Sequence, residues 1–353
     1  MSTIIRYNSE DIVLDTAKIS TSTWADNTNN LTTSFTSSIQ SEDSTPTSNG
    51  AFYVDVYNQP TGSISSSKEY SVAYGHKCGS GSLDFTNDTG SFGYSPTKCI
   101  YSQYRQLVFG DEAQYFTFDT TTPDDIWVIN VERKNYKHNL KPSSLNMFLS
   151  DGSSTVRLTD DFVTKSGSAT LTMAGRQFNI VSGASGVMSG STLSQTASGS
   201  YGLYYPDSGF IILNPGALGL SLPAGGAGIG GGATNFSNGL AVKDSNTACH
   251  NHYKLRDMLD AGNYFICDSE EKLTSQYYFT RVKNSEFNYT GNPSYIDTTG
   301  TLRFDSMVDN PTVYITTVGL YSDGGDLLAV AKLSKPLKKD FTKESLIKVK
   351  VDY

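Results

Sequence analysis

From residue 125 onward, short apolar runs alternate with turn-forming residues, and this spacing limits the fold more than any other feature. The runs form three pairs that each flank a short glycine-containing segment: residues 145–149 with 155–158, 170–173 with 177–181, and 201–205 with 210–213. Glycine and aspartate at such intervals favour tight turns between antiparallel strands. The sequence therefore predicts a mainly β fold, built from antiparallel β-sandwich-like domains.

The periodicity of apolar residues predicts further strands and a few short helices. Residues 126–131 are almost entirely apolar and predict a strand buried on both faces, whereas residues 51–57 alternate, as a half-buried strand does. Apolar residues at helical spacing over residues 100–108, followed by a glycine, predict a short helix. A second short helix is predicted over residues 254–260.

The C-terminal end combines a hairpin, a strand and a run of lysines. Residues 313–321 and 327–333 are apolar, and the Ser-Asp-Gly-Gly-Asp segment between them is a strong turn signal. Residues 347–351 alternate Ile or Val with Lys and predict a strand with one solvent-facing side. Seven lysines lie between Lys332 and Lys350, inclusive.

Two interpretations fit this lysine-rich end of an acidic protein. The lysines predict electrostatic docking onto an acidic partner, or they protect an edge strand against aggregation. In the first interpretation, the predicted contact residues are Lys332, Lys335, Lys348 and Lys350.

Residues 1–50 are predicted to be an extended polar N-terminal arm. Ser, Thr and Asn dominate residues 20–49, in which Trp24 and Phe35 are isolated rings, so the segment cannot build a core of its own. We expect the arm to pack on a neighbouring protein through Trp24 and Phe35. A long solvated loop is the alternative.

The composition of the rest of the chain predicts two further regions. Residues 51–115 are predicted to form an α+β region, and residues 116–353 to form β-rich domains that end in a hairpin plus strand at residues 312–353. A Gly-rich loop without charge occupies residues 215–238. We expect it to become ordered against a partner. The alternative is a membrane-active insertion peptide, although its glycines disfavour a stable helix.

The charge balance and the distribution of apolar residues argue against several classes of protein. The 353 residues include 35 acidic and 27 basic side chains, for a net charge of −8, whereas a nucleic-acid-binding chain is expected to be basic. No apolar run approaches the ~18 residues that span a bilayer, and the first residues do not resemble a secretory signal. The four cysteines are widely spaced and are predicted to be free thiols.

A weak metal-site candidate lies at Cys249, His250 and His252. On a strand, the two histidines would share one face and the cysteine would point to the other, so at most two ligands converge. A structural zinc site needs four ligands, and the remaining candidates, Cys267 and the pair His76 and Cys78, are distant in sequence. The sequence therefore predicts ordinary histidines, with no metal and no cofactor.

Two pairs of adjacent carboxylates, Asp124–Asp125 and Asp160–Asp161, raise the possibility of a glycosidase. Such an enzyme needs two carboxylates that face each other across a cleft, whereas adjacent residues on a strand point to opposite faces. Aspartates at the ends of elements commonly cap turns. With none of the common catalytic motifs present, the chain is predicted not to be an enzyme.

Residues 312–337 have the sequence Thr-Val-Tyr-Ile-Thr-Thr-Val-Gly-Leu-Tyr-Ser-Asp-Gly-Gly-Asp-Leu-Leu-Ala-Val-Ala-Lys-Leu-Ser-Lys-Pro-Leu. This segment resembles the closing module of virion structural proteins of T4-like contractile-tailed phages, especially those of cyanobacteria and other marine hosts. It is more loosely similar to a module that joins tail fibres to a baseplate. Other blocks that resemble this family lie at residues 101–107, 126–137, 204–214 and 278–289. The resemblance spans roughly residues 95–353.

This resemblance implies a non-enzymatic structural subunit of a phage tail, located in the baseplate, present in multiple copies and assembled in the host cytoplasm. Its partners would be other tail and baseplate proteins. No catalytic residues carry over from the family. A neck or collar protein, a tail-fibre adaptor or receptor-binding protein whose tyrosines contact host glycan, and a polysaccharide-degrading enzyme are the alternatives.

Overall fold

The computed structural model describes residues 5–24, 53–59, 63–79, 96–222, 251–289 and 292–353. The chain divides into two compact units. Unit 1 combines Met1–Lys18 with Lys272–Tyr353, and unit 2 comprises Ile19–Glu271. The prediction of a mainly β fold with antiparallel sheets and a few short helices is confirmed.

The strands, in chain order, are β1 (Ile12–Ser22), β2 (Tyr53–Tyr57), β3 (Lys68–His76), β4 (Asp125–Val131), β5 (Asn139–Leu140), β6 (Asn146–Ser150), β7 (Thr155–Asp160), β8 (Thr170–Thr172), β9 (Gly175–Ala184), β10 (Val187–Met188), β11 (Gly202–Tyr205), β12 (Phe210–Leu213), β13 (Phe265–Ile266), β14 (Asp268–Val282), β15 (Val313–Tyr321), β16 (Leu327–Lys339) and β17 (Ser345–Asp352). The helices are α1 (Pro96–Phe109), α2 (Pro215–Ser221), α3 (Asn251–Gly262) and α4 (Ser306–Asp309). Short 3-10 helices form at Ser9–Asp11 and Arg133–Asn135.

Unit 2 is built on one large sheet, in the order β13-β6-β7-β9-β11-β12-β4-β3-β2, and β8 and β10 also pair with β9. One of its interior strands, β4, is buried on both faces, as its apolar sequence predicted. Ile126 and Val128 join one core cluster, whereas Trp127 and Ile129 join another. The alternation of β-strand side chains sends neighbours to opposite faces, so this sheet separates two cores.

A helix contributes to each of these two cores. Tyr101 and Val108 of α1 join the cluster of Ile126 and Val128. Leu255 and Met258 of α3 join the opposite cluster. Both helices were predicted, and α1 ends directly before Gly110, whose φ of +66° is a conformation that favours glycine after a helix.

All three hairpins predicted from the glycine-containing turns are present. β6 pairs with β7, β8 with β9, and β11 with β12, each antiparallel. The pairs nearest the turns are Ser150↔Thr155, Thr172↔Gly175 and Tyr205↔Phe210. Local turn chemistry therefore sets the register in these parts of the sheet.

Unit 1 contains the pairing of β14 with β17 and a separate two-stranded sheet of β15 and β16. Leu320, Ile347 and Val349 form its buried cluster. The N-terminal segment belongs to this unit, since the ring of Tyr7 lies 5.5 Å from that of Tyr278 and its hydroxyl lies 2.5 Å from Oγ1 of Thr280.

Several predicted boundaries differ from those of the structure. The limits at residues 50 and 115 do not separate units, because β2, β3 and α1 share the sheet or its cores with β4. Part of the predicted arm is strand β1. The predicted Gly-rich loop begins as helix α2, where the Asn214 side chain accepts hydrogen bonds from Gly216 N and Ala217 N. Residues 25–50 and 223–238 lie outside the described residues.

Across the described residues, no helix is both long enough and apolar enough to pass through a bilayer.

Candidate interaction surface

The C-terminal hairpin of β15 and β16 closes through a compact turn at residues 322–326. Ser322 N donates to Asp326 O at 2.8 Å, and Gly325 N donates to Ser322 O at 3.0 Å. Beyond this turn, Tyr321 pairs with Leu327. The hairpin predicted from the Ser-Asp-Gly-Gly-Asp segment is therefore confirmed.

One side of the hairpin is buried in unit 1. Leu320 is buried and clusters with Ile347 and Val349 of β17. Ala329, the cross-strand partner of Leu320, packs against the same cluster, as does Ala331. These contacts fix the hairpin on a hydrophobic base.

Large apolar side chains remain exposed elsewhere on the hairpin. A Cβ atom on Gly319 would lie 2.9 Å from Cε2 of Tyr321 and 3.4 Å from Cδ1 of Leu327, so both side chains lie over this glycine. The residues that we call the hairpin surface are each 51–69% exposed: Tyr314, Tyr321, Leu327, Leu328 and Val330.

The exposed apolar side chains of the hairpin surface indicate a contact site because they lie together on one hairpin. Single exposed apolar side chains are ordinary, whereas a group of them on one element commonly marks a surface that another macromolecule covers. Tyrosine and leucine with flanking lysines match the mixture of an apolar centre and a charged rim that protein interfaces show. The hairpin surface is therefore our candidate interaction surface.

The four predicted contact lysines are exposed: Lys332 and Lys335 lie on β16 of the hairpin, whereas Lys348 and Lys350 lie on β17. Lys332 lies opposite Thr317 in the hairpin. The Lys348 ammonium lies 3.9 Å from the centroid of the Tyr277 ring, a cation–π distance, and Lys350 Nζ lies 2.9 Å from Oδ1 of Asp352. Lys335 lies between the two paired portions of β16, where the register with β15 shifts. Their contact with a partner stays a prediction.

Sequence reasoning missed one lysine of this run, Lys339, which is completely buried. Its Nζ donates to Asn284 O at 2.9 Å, to Asn288 Oδ1 at 2.9 Å and to Asp340 O at 3.2 Å. An ammonium has three donors, so these oxygens satisfy all of them. Lys339 thus fixes the loop after β14 to the end of β16. No pattern in the sequence distinguishes it from Lys338.

The prediction that Trp24 contacts a partner is wrong, because its side chain is only 2% exposed and lies in the core of unit 2. Its Nε1 donates to Phe265 O at 3.0 Å, and its ring lies edge-on to the Phe265 ring at 5.0 Å. The ring of Tyr70 lies 5.9 Å away. Hydrophobic burial against Phe265 and Tyr70 accounts for the position of Trp24. The second predicted contact of the arm, Phe35, lies outside the described residues.

Of the three predicted metal-ligand candidates, Cys249 and His250 lie outside the described residues. His252 is buried on α3. Among the residues that the structure describes, no group of three or more His, Cys, Asp or Glu side chains is arranged to hold a metal ion. Burial raises the pKa of the Cys267 thiol to about 12 and lowers the pKa of His76 to about 4.

The Asp160–Asp161 carboxylates have structural partners. Asp160 accepts from Ser143 N at 2.9 Å and from Phe162 N at 3.0 Å, and burial raises its pKa to about 6. Asp161 accepts from Asn179 N at 2.9 Å and from its Nδ2 at 2.8 Å. These bonds hold the loop after β7 against β9, in agreement with the predicted capping role.

The other pair, Asp124 and Asp125, also makes separate contacts. Asp124 Oδ1 lies 3.6 Å from Lys77 Nζ, whereas Asp125 accepts from the Tyr74 hydroxyl at 3.1 Å. Burial raises the pKa of Asp125 to about 7. The two carboxylates therefore point to different partners.

A cleft of about 350 Å³ lies in unit 1 near the open end of the hairpin. Its lining is largely apolar and includes the exposed rings of Phe287, Tyr289 and Phe341. Asn288 also lines it, and its amide is engaged by Lys339 and by Asn284 O. The cleft is large enough for one ring-shaped group.

No family model, no curated protein and no solved structure matches the chain.

Proposed function

We propose that this chain is a non-enzymatic structural subunit of a bacteriophage contractile tail, located in the baseplate and acting through protein–protein contacts. The observation that carries the proposal is the hairpin surface, a group of exposed Tyr, Leu and Val side chains on a hairpin that is anchored from its other side. The same hairpin contains the segment that resembles virion structural proteins.

The exposed apolar side chains of the hairpin surface are unfavourable in water. Covering apolar surface stabilises a complex by roughly 25 cal/mol per Å² removed from water. The hairpin is held by Leu320 and its neighbours, so little ordering is required when a partner binds. A surface with this chemistry supports a subunit that is covered in an assembly.

The test uses substitutions on the hairpin surface, because deletion of residues 332–353 would remove β17 and with it the buried Ile347 and Val349. A tagged chain with Leu328→Ser and Val330→Ser is expressed during infection. We expect it to fold, as measured by circular dichroism of the purified protein, and to be lost from purified particles. Incorporation at the wild-type level would refute the proposal.

The matched control carries Leu171→Ser and Met173→Ser, two side chains of unit 2 that are 80% and 75% exposed. This control removes similar exposed apolar surface without changing the hairpin, so we expect it to enter particles normally. Gold labelling of the incorporated tag then locates the chain. Label at the end of the tail away from the head supports the baseplate, whereas label at the head–tail junction supports the neck or collar alternative.

The cleft favours a second candidate function, a fibre adaptor or receptor-binding protein. Exposed aromatic rings such as Phe287 and Tyr289 offer faces on which a sugar ring can stack. Binding of the purified chain to host lipopolysaccharide, lost on Tyr289→Ala, would support this candidate. Equal binding by the variant would exclude the cleft as the glycan site.

A further inference from the structure

Charge is distributed unequally between the two units. Unit 1 carries 13 Lys and Arg against 12 Asp and Glu, whereas unit 2 carries 14 against 23. Within unit 1, the basic residues concentrate at residues 332–350, which contain seven lysines and two acidic residues, Asp340 and Glu344. We call residues 332–350 the basic segment.

Two of the lysines on the hairpin are free to meet an external partner. Lys332 and Lys335 are exposed, and within the described residues neither forms an ion pair. Lys332 lies on β16 two residues after Val330, so it continues the hairpin surface along the strand. Apolar and basic contacts are thus available on the same hairpin.

A complementary run lies in unit 2, directly after α1. Residues 111–125 contain five acidic side chains and no basic one, and we call them the acidic segment. Asp111, Glu112 and Asp119 are exposed, and none of the three forms an ion pair within the part of the chain that the structure describes. Tyr115, between them, is 41% exposed, and Lys77 Nζ lies 3.9 Å from the centroid of its ring.

Among exposed side chains that form no ion pair within the described residues, the basic segment offers Lys332 and Lys335 on the hairpin, and the acidic segment offers Asp111, Glu112 and Asp119, so the two are complementary. Two copies that met through their basic segments would instead bring like charges together, which disfavours a two-fold contact through this surface. The charges therefore favour a contact between unlike surfaces.

We propose that the hairpin surface of one copy, together with Lys332 and Lys335 of the basic segment, docks on the acidic segment of a second copy. This inference rests on the proposed function, because it names the partner of the same surface. A contact between unlike surfaces is heterologous, and its repetition gives either a closed ring or an open-ended chain. Exposed ion pairs are screened by salt, so association weakens as ionic strength rises.

Charge reversal tests both surfaces with the protein itself as the probe. One variant carries Lys332→Glu and Lys335→Glu, and the other carries Asp111→Lys and Glu112→Lys. Sedimentation velocity measures the mass of each at about 0.05 M and about 0.5 M salt, on either side of physiological screening. Lys134→Glu with Lys137→Glu is the matched control, because both lysines are exposed and lie outside the two segments.

We expect the wild-type chain and the control to form oligomers at low salt and to dissociate at high salt. Each reversal variant alone is expected to associate at least tenfold more weakly, and an equimolar mixture of the two is expected to recover association, since every contact between unlike variants is complementary again. A mixture that stays monomeric while the wild type associates would overturn the assignment of these two segments.

The same experiment separates this inference from the proposed function. A wild-type chain that is monomeric at both salt concentrations, together with loss of the hairpin variant from particles, would assign the surface to a different tail protein and overturn the second copy as partner. Normal incorporation of the hairpin variant would instead overturn the proposed function.

Discussion

Replacement of Trp24 by alanine is expected to destabilise unit 2 by about 3–5 kcal/mol. The indole is 2% exposed, so its removal leaves a cavity lined by Phe265 and Tyr70, and large aromatic truncations in cores have costs in this range. The variant also removes the donor to Phe265 O, for which an unsatisfied buried acceptor costs about 1–3 kcal/mol. Trp24→Phe keeps a ring and loses this donor, so a smaller loss of about 1–3 kcal/mol is expected.

Urea unfolding followed by tryptophan fluorescence measures this loss directly. The chain has two tryptophans, and the second, Trp127, is fully buried in unit 2, so it reports unfolding of the same unit in every variant. Leu171→Ala is the control, because its side chain is 80% exposed and its loss should change the unfolding free energy by no more than about 0.5 kcal/mol.

The placement of Trp24 in the core of unit 2 would be refuted by one combination of results. If Trp24→Ala lowered the unfolding free energy by no more than the Leu171→Ala control while reducing incorporation into particles, Trp24 would be a partner contact, as its isolated position in a polar sequence suggested. A large loss of stability in the purified chain would confirm its role in the core.

Three further predictions follow from buried groups. Lys339→Met should destabilise unit 1 by about 2–4 kcal/mol, since it leaves three oxygens without their donor, and Lys338→Met, at an exposed neighbour, should change the denaturation midpoint little. Burial raises the pKa of Asp160 to about 6, so this carboxyl binds a proton more readily in the folded protein than in the unfolded chain. The contribution of Asp160 to stability should therefore fall as pH rises from about 4 to about 6. Urea titrations of Asp160→Asn at several pH values should lack that decline. Alkylation followed by mass spectrometry should modify the exposed Cys78 and Cys99 well before the buried Cys267, whose pKa is raised to about 12; equal rates would contradict its burial in the native state.

Local sequence signals were sufficient to predict strands and hairpins wherever a turn or a periodicity of apolar residues determined them. The Ser-Asp-Gly-Gly-Asp turn, for example, predicted the hairpin whose residues Ser322 and Asp326 bond to each other. The alternation of Ile347 and Val349 with lysines predicted β17, in which Ile347 and Val349 are buried and Lys348 and Lys350 are exposed. Such features depend on neighbours within a few residues.

The features that sequence analysis missed depend on contacts between distant residues. Trp24 bonds to the carbonyl of Phe265, 241 positions away, and nothing near Trp24 indicates that partner. Lys339 is buried because Asn284 and Asn288, more than fifty residues earlier, supply oxygens around its ammonium. The hairpin surface was predicted as a β-hairpin, but which apolar side chains remain exposed depends on the packing of Leu320.

Unit 1 combines an early and a late segment of the chain, so it can fold only late during synthesis on the ribosome. Tyr7 is translated long before Thr280 and Tyr278, against which it packs, so this part of the molecule has to wait while the residues of unit 2 emerge. A nascent polypeptide that terminates early within unit 2 would lack the hairpin altogether. Only a chain whose translation has passed β17 can present the hairpin on its anchoring base, so incomplete products would lack the anchored hairpin surface.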